Sequence, residues 1–492
     1  MKSVKNLLVP SIILVVLAIF SIVYFSIDSF KRNAANETAN TIYDVVNYKV
    51  SDVASVSLSN NEKGFNLKVV KTAKNDGSML LEYKGDDADP KEKYSQNKLL
   101  RFLEDMIYIS SADKVSESGN YADFGLDKPF FTVNIELSSG QNVTYYLGNI
   151  SDDSDSCFIY VNGSNDVFKI YCSKDVLYEK SSVKFLEEFS IGIDLKEVKT
   201  VHFDRKTDGL SLDANVSVTD TGISVFDVYE PYVHGTSGYF GNLIDAVAGL
   251  TVDDFVAFLN NNLKEYSLDD PAYHFAFTKY NGNKVELFLS KNINGYHFGY
   301  VKGINKIFVV HEYRLEGLNL QELILIDPYI CYCYVKDIKT ITGTYGDQSF
   351  KFELDVPVNS SIMDSNSTVT LDGRNAKVSD TFGRSYCSIL FESIACIKIG
   401  GVDVNAKPAV SGGPALTLTF YDKNYATTVY EFYTRDQDSY YVVKNGEYMG
   451  FFVYASEIFN DGGSDTYNYG FWKAYELLTH AISENMNGIY DL

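Results

Sequence analysis

Tyr121-Ala122-Asp123-Phe124-Gly125-Leu126-Asp127-Lys128-Pro129 opens the stretch that decides how this chain is read. Gly125 supplies the positive φ that a tight turn needs, and Pro129 fixes the chain as it enters the next segment. Strands are expected near Phe131–Leu137, Val143–Leu147, Cys157–Val161 and Val167–Tyr171, because apolar and polar residues alternate there. Upstream, Val50–Leu58, Phe65–Val70 and Met79–Tyr83 alternate in the same way. Between them Ser95 is placed to cap a helix whose Leu99, Leu100, Phe102, Leu103, Met106 and Ile107 recur at helical spacing. A second helix over 174–189 is expected to close the unit.

The arrangement restarts twice. Leu195–Phe203 repeats the opening strand, Tyr239–Leu250 the helix, and Tyr266-Ser267-Leu268-Asp269-Asp270-Pro271 the turn motif. Val335–Ile341 opens a third copy with a helix expected over Phe382–Ile397, where Phe382-Gly383 echoes Phe240-Gly241, and with the motif reduced to Ala406-Lys407-Pro408. The short connections favour antiparallel pairing. The fold class is therefore α+β: three tandem repeats of a mainly antiparallel sheet with packed helices, preceded by a membrane helix. Expected boundaries are 1–6 for a cytoplasmic tail, 7–27 for the transmembrane helix and 28–47 for a polar stalk. The units follow at 48–190, 191–334 and 335–460 (divergent), with a C-terminal helix and tail at 461–492.

Leu7–Ile27 carries no charged residue, and as a helix it would span about 31 Å, close to a bilayer core. Lys2 and Lys5 precede it, and Asp28 partly offsets Lys31 and Arg32 behind it. The positive-inside bias orients the N-terminus to the cytoplasm and the remainder outward. A cleaved signal peptide would have a shorter apolar core and an Ala-x-Ala-like site, which does not occur before Ala34-Ala35. A net charge of −22 over 492 residues removes the attraction to phosphate backbones on which nucleic-acid binding depends.

Six cysteines are too few to act as a framework for this length. Cys157 and Cys172 flank an expected hairpin and fall roughly opposite one another, so a disulfide and two separate thiols both fit. Cys331 and Cys333 are expected on one face of a strand, and Cys387 and Cys396 in a helix, as small buried residues.

Little here reads as reactive. The six histidines are not at helical or strand spacing from one another, and His311-Glu312-Tyr313-Arg314-Leu315 lacks the second histidine of a zinc-protease helix. The run Ser151–Ser156 lacks the turn Gly and distal Glu of an EF-hand loop, and Asn460–Asp465 is a similarly weak match, so both are read as solvated turns. No Gly-x-Ser-x-Gly elbow or phosphate loop is present. Adjacent carboxylates such as Asp253-Asp254 and Asp269-Asp270 point apart on a strand. No catalytic, cofactor or metal residues are therefore assigned. Gly125, Leu126, Asp127, Pro129, Leu268, Asp269 and Pro271 are read as structural punctuation, with presentation of Asp127 and Asp269 to a ligand as the competing reading.

With Gly125-Leu126-x-x-Pro129, Leu147-Gly148, Tyr160-Val161 and Val167-Phe168 in place, the chain resembles the bacterial repeat family DUF 4340. The resemblance is closest over 50–190 and weakest beyond 330. It implies an N-terminal membrane helix and an extracytoplasmic region without established activity. It also implies the neighbourhood of ABC transporters of the gliding-motility kind, hence a non-enzymatic accessory or scaffold with a membrane partner such as an ABC permease. Two readings compete: a binding module for cell-wall glycan or a small ligand, and an envelope hydrolase whose carboxylates converge from distant segments.

Overall fold

A computed structural model describes residues 42–484, except 75–77, 118–119, 151–155, 172–180, 253, 260–262, 360–365, 380–382, 410–411 and 463–467. The expected membrane helix lies outside the described residues. Among those described, no helix is long and apolar enough to cross a membrane.

Three large antiparallel sheets follow one another, of eight, nine and nine described strands. Each is built on one frame. A central opening strand (Val53–Asn60, Val198–Arg205 or Ile338–Tyr345) pairs on one side with its hairpin partner (Phe65–Ala73, Leu210–Val218 or Gln348–Asp355). On the other side it pairs with a return strand (Phe131–Leu137, Tyr273–Lys279 or Leu416–Asp422), from which a three-strand meander continues. A short 3-10 turn precedes each opening strand, and its pairing with the return strand slips by one residue at Val53/Ser55, Val198/Thr200 and Ile338/Thr340. The three copies therefore share a register, not only an outline. Edge strands are short: Met79–Tyr83 and Asp113–Ser116 in the first sheet, His234–Gly235 and Phe255–Ala257 in the second, Arg374–Asn375 and Gly401–Val402 in the third.

One helix fills the same place in each unit: Gln96–Ile107, Gly238–Ala248 and Tyr386–Ala395. All three begin at a serine whose hydroxyl accepts a first-turn amide, Ser95 from Lys98, Ser237 from Tyr239 and Ser385 from Ser388. Each such cap contributes about 1 kcal/mol. The helices bury one face on the sheet, with Phe240 0% exposed beside the Phe203 and Phe226 rings. Burying each large apolar side chain contributes roughly 1.5–3 kcal/mol, so packing outweighs capping.

Several expected elements differ. The helix expected over 174–189 falls partly outside the described residues, and its described remainder is a 3-10 turn, Ser182–Phe185, then a two-residue strand. The chain is used there to plug the core, Phe185 lying 5.5 Å from both Tyr83 and Phe102. The third helix starts at Tyr386 and residues 383–385 ahead of it are not helical, while Phe382, its expected start, lies outside the described residues. Gly383 has φ +79° and turns the chain ahead of the Ser385 cap. Cys331 and Cys333 are not on a strand; they lie in an irregular segment tied to 397–399 through Ile330 and Tyr329. The terminal helix, Phe471–Ser483, belongs to the third sheet's core, where Trp472 meets Tyr345 and Phe350.

The chain divides into two compact units, 1–188 and 189–492. Within the second, the two sheets share packing. At the second sheet's edge, Tyr232 meets Phe451 of the third in a tilted contact at 4.6 Å and His234 meets it edge to face at 5.0 Å. Tyr232 donates to Glu322 Oε1 at 2.6 Å, and His234 Nε2 bonds the Asp327 carbonyl at 2.8 Å.

Candidate functional site

The helix occupies one face of each sheet, and alternation sends every second side chain to the other face. In the second sheet Val201, Phe203, Phe275 and Phe277 are buried beneath, while His202, Asp204 and His274 alternate with them on the outward face. Asp204 is directly opposite His274 across the opening and return strands, and His202 is directly opposite Asp213 across the opening hairpin. The sheet thus joins residues that are distant in sequence.

Contacts within the cluster are short. His202 Nε2 is 2.7 Å from Asp204 Oδ2, and its Nδ1 is 3.0 Å from Asp213 Oδ1. His274 Nδ1 is 3.6 Å from the same Asp204 oxygen, and its Nε2 is 3.5 Å from Glu286 Oε1. That Nε2 is buried and makes no hydrogen bond among the described residues. Glu286 is held by Lys302 at 2.6 Å and Lys284 at 3.5 Å. The two imidazoles meet edge to face at 5.3 Å, and His274 stacks on Phe288, which stacks on Tyr300.

Burial, reinforced by the neighbouring His202 ring, holds the His274 imidazole below its ordinary pKa. For Asp204 burial acts upward. Hydrogen bonds from Ser211, His202 and His274, with the His202 charge, outweigh it and leave the carboxyl below the usual range. The Lys302 hydrogen bond does the same for Glu286. Near neutral pH the cluster therefore offers a neutral imidazole beside carboxylates.

Local spacing gave one weak hint of this site. His202 and Asp204, two apart on a strand, share a face, and that was the available signal. His274 enters only through the sheet's register. The assignment of no metal residue rested on spacing along the chain, whereas the geometry that brings these groups together runs across it.

The residues singled out from the turn motif lie elsewhere. Gly125 ends a 3-10 turn at φ +67°, and Ser267 takes its place in the second unit at φ +56°. Leu126 and Leu268 are buried, while Asp127 and Asp269 are exposed. Pro129 accepts a bond from Asn61 at 2.9 Å; Pro271 is half-buried. Asp127 and Asp269 belong to separate turns. Cys157 is buried and faces Ile170 in register, and Cys172 lies outside the described residues. His311 is an exposed strand end between the Tyr296 and Tyr313 rings. Most of the acidic run Ser151–Ser156 lies outside the described residues. An open groove of about 520 Å³ on the third sheet is lined by Lys339, Glu353, Asp355 and Lys423 among others, a mixed-charge surface.

Residues 87–220 match the family described as Domain of unknown function (DUF4340). The match covers the helix, motif and meander of the first sheet and the opening hairpin of the second, including His202, Asp204 and Asp213. No curated protein and no solved structure matches the chain.

Proposed function

We propose that this protein is a non-enzymatic binding protein, tethered to a bacterial cell membrane by Leu7–Ile27 with its N-terminus cytoplasmic. Its three sheets would act outside the membrane as an accessory or scaffold of an ABC-type transport or envelope complex. The observation that carries the reading is one frame used three times with three different outward faces. At corresponding register positions these faces carry Ser and Thr in the first sheet, His and Asp in the second, and Thr in the third. A repeated platform with varied chemistry suits the docking of several surfaces better than one reaction centre. The net charge of −22 adds solubility and selects against acidic partners.

The test is purification of the tagged full-length protein from native membranes after mild crosslinking, with mass spectrometry of what is retained. Reproducible recovery of an ABC permease or ATPase supports the proposal. Recovery without any membrane partner sinks it.

A second reading, a module for cell-wall glycan, is favoured by stacked rings on the outward face. Tyr146 and Tyr160 lie at 5.8 Å in the first sheet, and Phe288 and Tyr300 occupy the matching positions at 4.9 Å in the second. Retention of wall material lost on Phe288→Ala and Tyr300→Ala would favour it.

A further inference from the structure

The outward face of the second sheet departs from the frame at five linked positions. By register, His202 corresponds to Ser57 and Thr342, Asp204 to Ser59 and Thr344, and His274 to Thr132 and Thr417. Asp213 corresponds to Lys68 and Lys351 through the opening hairpins, and Glu286 to Thr144 and Val429 through the meander. The frame twice forms without any of these five groups, so folding does not call for them. Small hydroxyl residues are what an outward strand face ordinarily carries. Two imidazoles and a carboxylate brought together there, with a Lys-to-Asp reversal behind one of them, point to a ligand.

The donor set identifies its chemistry. The ligating atoms of His202, Asp204 and His274 all lie within 4.8 Å of one another. Two ligands bound to one tetrahedral zinc ion sit roughly 3.4 Å apart. The separations of 2.7 and 3.6 Å from Asp204 Oδ2 to the two imidazoles bracket that value, so small rotations about χ1 and χ2 suffice. Each imidazole directs its other nitrogen at a second carboxylate, His202 Nδ1 at Asp213 and His274 Nε2 at Glu286. Outer carboxylates of this kind fix the ring orientation and raise the basicity of a metal-bound histidine. His274 Nε2, buried without a hydrogen bond, has a carboxylate oxygen 3.5 Å away. An ion at Nδ1 would leave the ring's proton on Nε2, where a small turn of the ring would let it donate to Glu286. Charge agrees as well: Asp204, Asp213 and Glu286 against Lys284 and Lys302 leave one net negative charge beside the imidazoles.

We infer that His202, Asp204 and His274 form a binding site for a divalent first-row metal ion of the zinc type, with Asp213 and Glu286 as its outer shell. Nitrogen donors with a single carboxylate favour zinc, cobalt or nickel over magnesium or calcium, which take oxygen sets. Three protein ligands on a partly exposed sheet face leave a fourth position for water or for a donor group of a docked molecule.

The test uses the full-length protein in detergent, purified without a histidine tag and stripped with chelator. Binding of Zn²⁺ is measured by equilibrium dialysis with metal analysis, and Co²⁺ serves as a visible-absorption probe. One ion per chain is expected. His202→Thr and His274→Thr borrow the residue the third sheet carries at the same register, and each should weaken Zn²⁺ binding by about 100-fold or more. Asp213→Asn leaves all three ligands in place, so it reports even if a threonine variant fails to fold; a loss of about 10-fold or more is expected. His311→Tyr, outside the cluster, should leave binding unchanged. Zinc bound equally by wild type, both threonine variants and Asp213→Asn, or no zinc bound by the wild type, overturns the inference.

Discussion

Arg205 is the last residue of the second sheet's opening strand, and its side chain is only 3% exposed. It makes four hydrogen bonds. Nε and Nη2 grip Asp208 at 2.9 and 2.7 Å, and Nη1 donates to the Leu318 and Leu320 carbonyls at 2.9 and 2.7 Å. Those carbonyls belong to a connection whose Leu315 and Leu318 are themselves buried. Arg205→Met keeps the stem's volume and removes every donor. Asp208 is half exposed and can turn to water, so its share of the loss is small. Each orphaned buried carbonyl costs about 1–3 kcal/mol, offset in part by no longer burying a cation. The net expectation is a loss of roughly 2–4 kcal/mol. Denaturant unfolding gives the total, and hydrogen exchange over 315–320 localises it. The Arg205 hydrogen bonds hold the Asp208 carboxyl below the usual carboxylate range. Their stabilisation is complete above the unfolded value near pH ~3.9 and disappears as pH falls through the folded one. The gap between wild type and variant should therefore narrow in acid. A variant within about 0.5 kcal/mol of wild type, with unchanged exchange over that connection, would refute the reasoning.

Gly148→Ala places a Cβ against the Phe124 carbonyl and the Leu126 side chain. Because backbone cannot rotate away, a loss of about 1–3 kcal/mol is expected, read by exchange in the first sheet. Burial pushes the His234 imidazole down, so the unfolded chain binds more protons between its folded value and about 6.5. Stability should fall as pH drops through that window, and His234→Gln, which keeps a donor for Asp327, should flatten the slope. Burial pushes the Cys333 thiol up to about 12 and Cys331 well above its ordinary value. Iodoacetamide at pH 7.5 should therefore leave both unmodified until denaturant is added, as mass spectrometry would show.

How much of this was legible in the chain depended on whether the signal was local. The Ser95 cap and the Leu99–Ile107 face were readable, because capping and helical spacing operate over a few residues. The Phe382-Gly383 echo misled. Gly241 sits inside its helix, whereas Gly383 takes a positive φ before one, and a pair of letters does not distinguish the two. The His202, Asp204 and His274 cluster required knowing which residue faces which across two strands. The one-residue slip at Val198/Thr200 sets that register, and no periodicity within one strand announces it.

The two- to five-residue strands that finish these sheets also govern what the chain refuses to do. A long bare edge invites another strand, from a neighbouring unit or another molecule, to continue the ladder. With His234–Gly235 and Arg374–Asn375 as borders, too few amides and carbonyls remain in line to template such growth. Three related sheets can then be synthesised in succession on one polypeptide without exchanging strands in the nascent chain. Lengthening either border would be the direct route to turning this modular protein into a polymer.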